Sequence, residues 1–382
     1  MDKTQKDEAG TVGDGVLDVP LCSVPLCAPS APVPLPSPTV PPFCLAVVGA
    51  TGTGKSLLAD TLAAHLGGEV INADSMQVYR GMNIGTAKLP LDERSVPYHC
   101  IDLVDPDCPF TAALYQRAAR ASIEAILERG ATPILCGGTG LYLRVALDDF
   151  CFDEGWEGED GELRARLQAQ ADELGAEAFY ALLAERDPQS AALIHPHNTR
   201  RVIRAFELCE YGESYAQRHE GFADFSAVYP TRFIGLSVEP EVLYEVIERR
   251  VDHMMAAGLL EEVQGLLSQG FRDAVMARQA IGYKELVPVV EGRCALEDAV
   301  AQIKQATRRY AKRQRTWFKR DPRVEWLDIT ALHRAHLATP AQPATGPQDG
   351  EPPDANTHFA QQLRERALGL LSSLAPAPFS EG

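Results

Sequence analysis

Across the middle of the chain, apolar runs alternate with amphipathic stretches. Residues 43–48 form an apolar run closed by Gly49, followed by a short loop and then by Leu57, Leu58, Leu62 and Leu66 at helical spacing, a succession that predicts strand, loop and helix. Further strand-like runs fall at 70–73, 134–136, 233–238 and 324–327, separated by helical stretches such as 112–129 and 241–257. Such alternation predicts an α/β fold in which a parallel sheet is covered by helices. From about 152 to 213 the pattern is helical only, so this stretch is expected to be an inserted all-helical subdomain.

Proline marks the ends of the folded part: of 27 prolines, 9 lie in residues 1–42 and 7 in residues 336–382. The run Pro32, Pro34, Pro36 and Pro38 favours polyproline II or disorder, because proline lacks the N–H that helices and sheets use. An alternative is that translation starts downstream, near Val40. The expected organisation is a proline-rich tail (1–42), a core (43–335), a low-complexity linker (336–357), a helix (358–374) and a short tail (375–382). Phe359, Leu363, Leu370 and Leu374 share one stripe of that helix, which predicts that it docks back on the core.

A chain of 382 residues has room for one large domain or two ordinary ones of about 100 to 200 residues each, and 45% apolar with 23% charged residues is a globular composition. No charge occurs between Asp18 and Lys55, but 9 of the 24 residues from 19 to 42 are proline, which excludes a membrane-spanning helix. The first 18 residues are too acidic for a signal peptide. Nine scattered cysteines without a C-x-x-C pair read as reduced thiols rather than as disulfides or zinc ligands. A cytoplasmic protein with no membrane association, acting as a monomer, is expected.

Gly49-Ala50-Thr51-Gly52-Thr53-Gly54-Lys55-Ser56 matches G-x-x-x-x-G-K-[ST], and it sits between an apolar strand and an amphipathic helix, where that motif belongs. Glycines let successive N–H groups curl inward, the helix start adds partial positive charge, Lys55 adds a full one, and the Ser56 hydroxyl can ligate Mg2+. This P-loop type of sheet is therefore built to hold a diphosphate. Nucleotide hydrolases follow an apolar strand with a magnesium-directing Asp, whereas residues 132–136 run into Gly137-Gly138-Thr139 with no carboxylate. Chemistry other than ATP hydrolysis is suggested. The carboxylate that directly follows an early strand is Asp74, where it would face the same crevice. Read without further context, Asp74 followed by Ser75 is a helix N-cap before it is a catalytic group.

The phosphate loop, the run from Asp74-Ser75-Met76-Gln77-Val78-Tyr79 to Gly85-Thr86-Ala87-Lys88, the run Gly137-Gly138-Thr139-Gly140-Leu141-Tyr142 and the run Ala280-Ile281-Gly282-Tyr283-Lys284 together resemble the tRNA dimethylallyltransferase family, of the bacterial type without a zinc finger. The resemblance runs in order from about residue 43 to 329. It implies transfer of a dimethylallyl group from dimethylallyl diphosphate to N6 of the adenosine 3′ of the anticodon, with release of diphosphate. It also implies that Asp74 takes the N6 proton, that the loop with Lys55, Ser56 and Mg2+ stabilises the leaving diphosphate, and that Thr139 bonds the bridging oxygen or orients the adenosine. The acceptor base must be flipped out of its stack, at a cost of a few kcal/mol. By the same resemblance, contacts to the anticodon stem-loop are expected from Asp74, Ser75, Met76 and Gln77, from Arg164, from Arg200, Arg201, Val202, Ile203 and Arg204, and from Gln279, Ala280, Ile281, Gly282, Tyr283 and Lys284. Tyr283 could stack on a base or be a core tyrosine with a bonded hydroxyl.

A net charge of -17, taken whole, argues against a polyanionic partner. The signs are segregated, however. Residues 304–320 hold eight Lys or Arg and no acid, while residues 153–187 hold eleven acids against three arginines. Positions 304, 308, 312, 315 and 319 follow helical spacing, with Ile303, Ala306, Tyr310 and Trp317 expected to seat that helix on the core. Solvated faces normally alternate sign, so this stripe points to phosphate-backbone contact. Competing readings are a P-loop kinase or an isopentenyltransferase acting on free adenine nucleotides, neither of which needs the basic helix, and an RNA-binding module with a relict loop.

Overall fold

The computed structural model describes residues 43–150, 161–221, 225–339 and 355–373. The proline-rich tail, most of the linker, the last tail, Leu374 and the first residues of the expected insert lie outside the described residues. In chain order the elements are β1 (Cys44–Gly49), α1 (Lys55–Leu66), β2 (Gly68–Asn72), β3 (Tyr98–His99), α2 (Ala112–Glu128), β4 (Thr132–Gly137), α3 (Gly140–Leu147), α4 (Gly161–Leu174), α5 (Ala176–Arg186), α6 (Pro188–Leu193), α7 (Thr199–Glu210), α8 (Tyr215–Gly221), β5 (Thr231–Ser237), α9 (Pro240–Ala256), α10 (Leu259–Ser268), α11 (Tyr283–Val290), α12 (Leu296–Phe318), β6 (Val324–Asp328), α13 (Thr330–Ala338) and α14 (Ala355–Ser373).

The six strands form one parallel sheet in the order β3-β2-β4-β1-β5-β6. Its central strands are buried on both faces, which is why they read as continuous apolar runs rather than as alternating ones. Ala46, Val48, Ile71, Leu135 and Phe233 pack into the core on one face, and Leu45, Val47, Val70, Ile134 and Ile234 into the core on the other. β3 is absent from the sequence expectation. It is two half-buried residues at the sheet edge, too short to show a period, and it pairs with β2 only through Val70 and Ile71.

Helices α4 to α8 do not join either face of the sheet. Leu163, Leu167, Phe179, Leu183, Ile194, Val202, Ile203 and Phe206 form a core of their own. Within it, Glu207 is buried and takes ion pairs from Arg164 at 3.0 Å and Arg204 at 3.2 Å. The Arg164–Glu207 pair thus ties α4 to α7.

Helix α14 returns to the sheet's second face. Phe359 and Leu363 cover Gly54, which has a positive φ of 86° and no side chain to obstruct them. The Phe359 ring lies 4.9 Å from that of His333 and 5.3 Å from that of His336 on α13. Leu363 and Ala367 are fully buried. Replacing Leu363 by Ala removes a buried side chain between α14 and α1 and is expected to cost about 2–5 kcal/mol of stability, measured by urea unfolding.

Candidate active site

Three adjacent strands deliver the chemistry to one place. The phosphate loop follows β1, Thr139 follows β4, and Asp74 lies beyond β2, so the order β2-β4-β1 sets Thr139 between the carboxylate and the loop. Gly49 has φ 144°, and a Cβ there would come within 2.8 Å of the Leu236 carbonyl. Gly52 and Gly54 also have positive φ, which lets the chain curl back on itself. Thr53 Oγ1 and Lys55 Nζ both donate to the Ala50 carbonyl, each at 2.8 Å, and fix the curl. Gly54, as N-cap of α1, gives no side-chain cap, so the first N–H groups of the helix are left for an anion. Burial pulls the Lys55 ammonium down to about 8, with nearby Arg250 adding to the effect and Cys136 and Asp74 opposing it. Ser56, in the first turn of α1, lies beside the Cys136 thiol.

Asp74 is held by its neighbours. Asn72 Nδ2 donates to the Asp74 carbonyl at 3.1 Å and to the Cys100 carbonyl at 2.8 Å, while Asn72 Oδ1 accepts the Asp74 N–H at 3.0 Å. Asp74 Oδ1 accepts the Met76 N–H at 2.9 Å. The residues after Asp74 form turns and not a helix, so Asp74 caps a turn and the N-cap alternative falls. Among the described residues, Oδ2 accepts no hydrogen bond and is available to a substrate. Thr139 Oγ1 accepts the Ser75 N–H at 3.1 Å and donates to Ser75 Oγ at 3.3 Å, tying the two loops together.

Of these groups Thr51, Asp74 and Ser75 line a cavity of about 280 Å³, together with residues that include Arg250, Tyr310, Arg313 and Lys284. The sequence reading passed over Arg250 of α9. Its guanidinium has no partner among the described residues, and burial lowers its pKa while Asp74 opposes the shift. A signal was present: Arg250 falls on the stripe of Leu243, Ile247 and Val251, where an arginine interrupts buried apolar positions. Tyr310 was also missed as a site residue. Its hydroxyl lies near Thr139 and Gln314, and burial together with Asp74 pushes it up to about 12.

The segment 279–284 divides. Gln279, Ala280, Ile281, Gly282 and Lys284 line the cavity. Tyr283 is fully buried, donates to Glu262 Oε1 at 2.5 Å and packs on Phe271, so it is a core tyrosine and cannot stack on a base. Glu262 also accepts the N–H groups of Asn83, Ile84 and Gly85, which fixes the loop ahead of Thr86, and Gln77 Nε2 donates to the Thr86 carbonyl at 3.0 Å. Ser75 and Met76 line the cavity beside Asp74. In the helical insert, Arg200 and Arg201 are exposed, Val202 and Ile203 turn into the insert's own core, and Arg164 and Arg204 are engaged with Glu207. None of these insert residues lines the cavity.

Helix α12 is seated by Ala299, Ile303, Ala311, Gln314 and Phe318. The expected seat is corrected accordingly: Ala306 and Tyr310 are half-buried, and Trp317 is 37% exposed. Basic residues also divide. Lys304 pairs with Asp252 at 2.6 Å and Arg308 with Glu248 at 2.5 Å, both on α9, so the first half of the stripe is neutralised. Gln314 spans the centre of the site: its Oε1 accepts the Thr51 N–H at 2.8 Å and its Nε2 donates to the Gly138 carbonyl at 3.0 Å.

A family profile described as IPP transferase matches residues 77–321 of this chain. A tRNA dimethylallyltransferase of Geobacillus thermodenitrificans is 48% identical over 286 residues, 74% of this chain and 90% of that protein. The crystal structure of a tRNA isopentenylpyrophosphate transferase from Bacillus halodurans matches with a TM-score of 0.56 at 38% identity, covering 86% of this chain and 99% of the other. A eukaryotic dimethylallyltransferase acting on tRNA matches with a TM-score of 0.66 at 30% identity, covering 76% and 75% of the two chains.

Two outcomes follow for an anion in the loop. Lys55 attracts diphosphate only when protonated, so affinity should fall as pH rises through about 8, with growing proton uptake on binding. Calorimetry with inorganic diphosphate, corrected for the ligand's own titration, reads both. Arg250→Gln should weaken the same binding by about 10- to 100-fold, the range for a lost hydrogen bond to a charged group.

Proposed function

Because the chain belongs to the tRNA dimethylallyltransferase (IPP transferase) family, we propose that it moves the dimethylallyl group of dimethylallyl diphosphate onto N6 of the adenosine immediately 3′ of a tRNA anticodon. One observation carries the assignment of roles: the carboxylate, the hydroxyl and the phosphate loop follow three neighbouring strands, with Asp74 and Thr51 of the loop lining one cavity and Thr139 bonded to Ser75 of that lining. Diphosphate seated in the loop would be held by the N–H groups at the start of α1, by Lys55 and by Arg250. The allylic C–O bond breaks with its electron pair going to the diphosphate, and the charge that develops there meets positive groups already in place. The N6 lone pair forms the new C–N bond, and the N6 proton goes to Asp74 Oδ2. Thr139, fixed by its hydrogen bonds to Ser75, orients the acceptor or the bridging oxygen.

The loop also suits magnesium. Ser56 would supply a hydroxyl, with diphosphate oxygens and water completing the set, the arrangement expected of an ion that keeps much of its water. Among the described residues no cluster of three or more His, Cys, Asp or Glu could hold a metal without such help. When bound, the ion would neutralise charge on the leaving diphosphate.

No helix among the described residues is long and apolar enough to cross a membrane. With tRNA as acceptor and free thiols such as Cys44 and Cys100 in its core, the protein is proposed to work in the cytoplasm, as a monomer. The rival in which a free adenine nucleotide is the acceptor is not favoured, since its relatives are tRNA enzymes and since the exposed cations of α12 exceed what one mononucleotide can use.

With labelled dimethylallyl diphosphate, magnesium and an anticodon stem-loop, label should move to the RNA. Asp74→Asn should slow that transfer by about 10²- to 10⁴-fold, the usual contribution of a positioned base, while stem-loop affinity changes little. Transfer to AMP but not to the stem-loop would establish the rival. Loss of RNA binding alone in the variant would make Asp74 a structural residue.

A further inference from the structure

Trp317 lies on α12 where a helix of this kind should be seated, yet it is 37% exposed. Its indole is not loose. The pyrrole edge, Nε1 included, lies so close over Gly140 that any Cβ there would collide with it, so the ring is fixed by the first residue of α3. Around the ring, Arg309, Lys312, Arg313, Thr316 and Arg320 complete a cleft of about 400 Å³ with no carboxylate in its lining. Among the described residues none of these four cations has an ion-pair partner, in contrast to Lys304 and Arg308 on the same helix. Arg313 lines both this cleft and the reaction cavity, so the two lie side by side.

A fixed aromatic ring among unpaired cations is what single-stranded nucleic acid requires: a face for a base and charge for its phosphates. Extracting an acceptor base from a loop leaves its neighbour with an uncovered face, and that face needs a new partner. We infer that Trp317 is the stacking platform for the nucleotide next to the acceptor adenosine, with Arg309, Lys312 and Arg320 placed on the adjoining phosphates. This deepens the tRNA reading above and rests on it. Trp317 acts by positioning the RNA and touches no reacting atom.

The test compares Trp317→Leu with Trp317→Phe in anticodon stem-loop binding, salt dependence and transfer. Leucine should weaken stem-loop binding by about 5- to 100-fold, the range for one lost base stack. Phenylalanine keeps a ring and should restore most of the affinity. In neither variant should the salt slope or the affinity for inorganic diphosphate change. Arg309→Gln with Lys312→Gln should instead lower the salt slope by about 0.7 per lost phosphate contact. Tryptophan fluorescence of the unaltered protein should be quenched by the stem-loop, and the quench should vanish in Trp317→Phe. Leucine binding within twofold of the unaltered protein overturns the proposal. So does equal damage by Leu and Phe accompanied by lost diphosphate affinity, which would make Trp317 only a clamp on Gly140. Failure of the unaltered protein to bind or modify any stem-loop would overturn the tRNA reading itself, and the stacking role with it.

Discussion

The carboxamide of Gln314 is the constraint on which the site depends. One side chain of α12 satisfies a donor of the phosphate loop and an acceptor beside Thr139, and it can approach the latter only because Gly138 has no side chain. A buried amide with both ends engaged cannot shift without leaving polar groups unpaired, a loss of about 1–3 kcal/mol for each. The helix that carries the exposed cations is thereby locked in register with the loop that holds diphosphate and with the strand ends that present Asp74 and Thr139. Tyr310, one turn earlier, lies beside both Thr139 and Gln314. An acceptor engaged by α12 and a donor seated in the loop are therefore referred to the same rigid frame, which is what an alkyl transfer between two large substrates needs.

Much of this was legible in the sequence, for a physical reason. The phosphate loop, Asp74 and Thr139 are each set by a few consecutive residues at a strand end, so local pattern suffices to find them and the parallel sheet brings them together. The central strands and long helices were legible because burial on both faces, or on one stripe, writes a period into the chain. Arg250, Tyr310 and Gln314 were not, because their roles arise from contacts between α9, α12 and the loops far apart in sequence. Tyr283 and Trp317 show the same limit from opposite sides. Helical spacing says which residues share a face, but which face meets a neighbour depends on packing: the tyrosine offered to a base is sealed beneath Glu262, and the tryptophan assigned to the core stands in an exposed cleft beside the site. The short edge strand β3 left no period to detect.

Net charge was misleading for a related reason. The acids concentrate in the insert, where several pair internally, and on α9, where Asp252 and Glu248 quench the first half of α12. What a polyanion meets at the cavity mouth is the unquenched second half. Local potential, not the sum over the chain, decides which partner can approach.

The packing of α14 over Gly54 sets an order of events in the life of the molecule. A chain is made from its beginning, and the phosphate loop emerges from the ribosome long before residues 355–373 do. Until residues 355–373 are synthesised and docked, Gly54 lacks the cover that Phe359 and Leu363 provide. A nascent chain still short of α14 thus carries the motif with its Gly54 turn uncovered on that side.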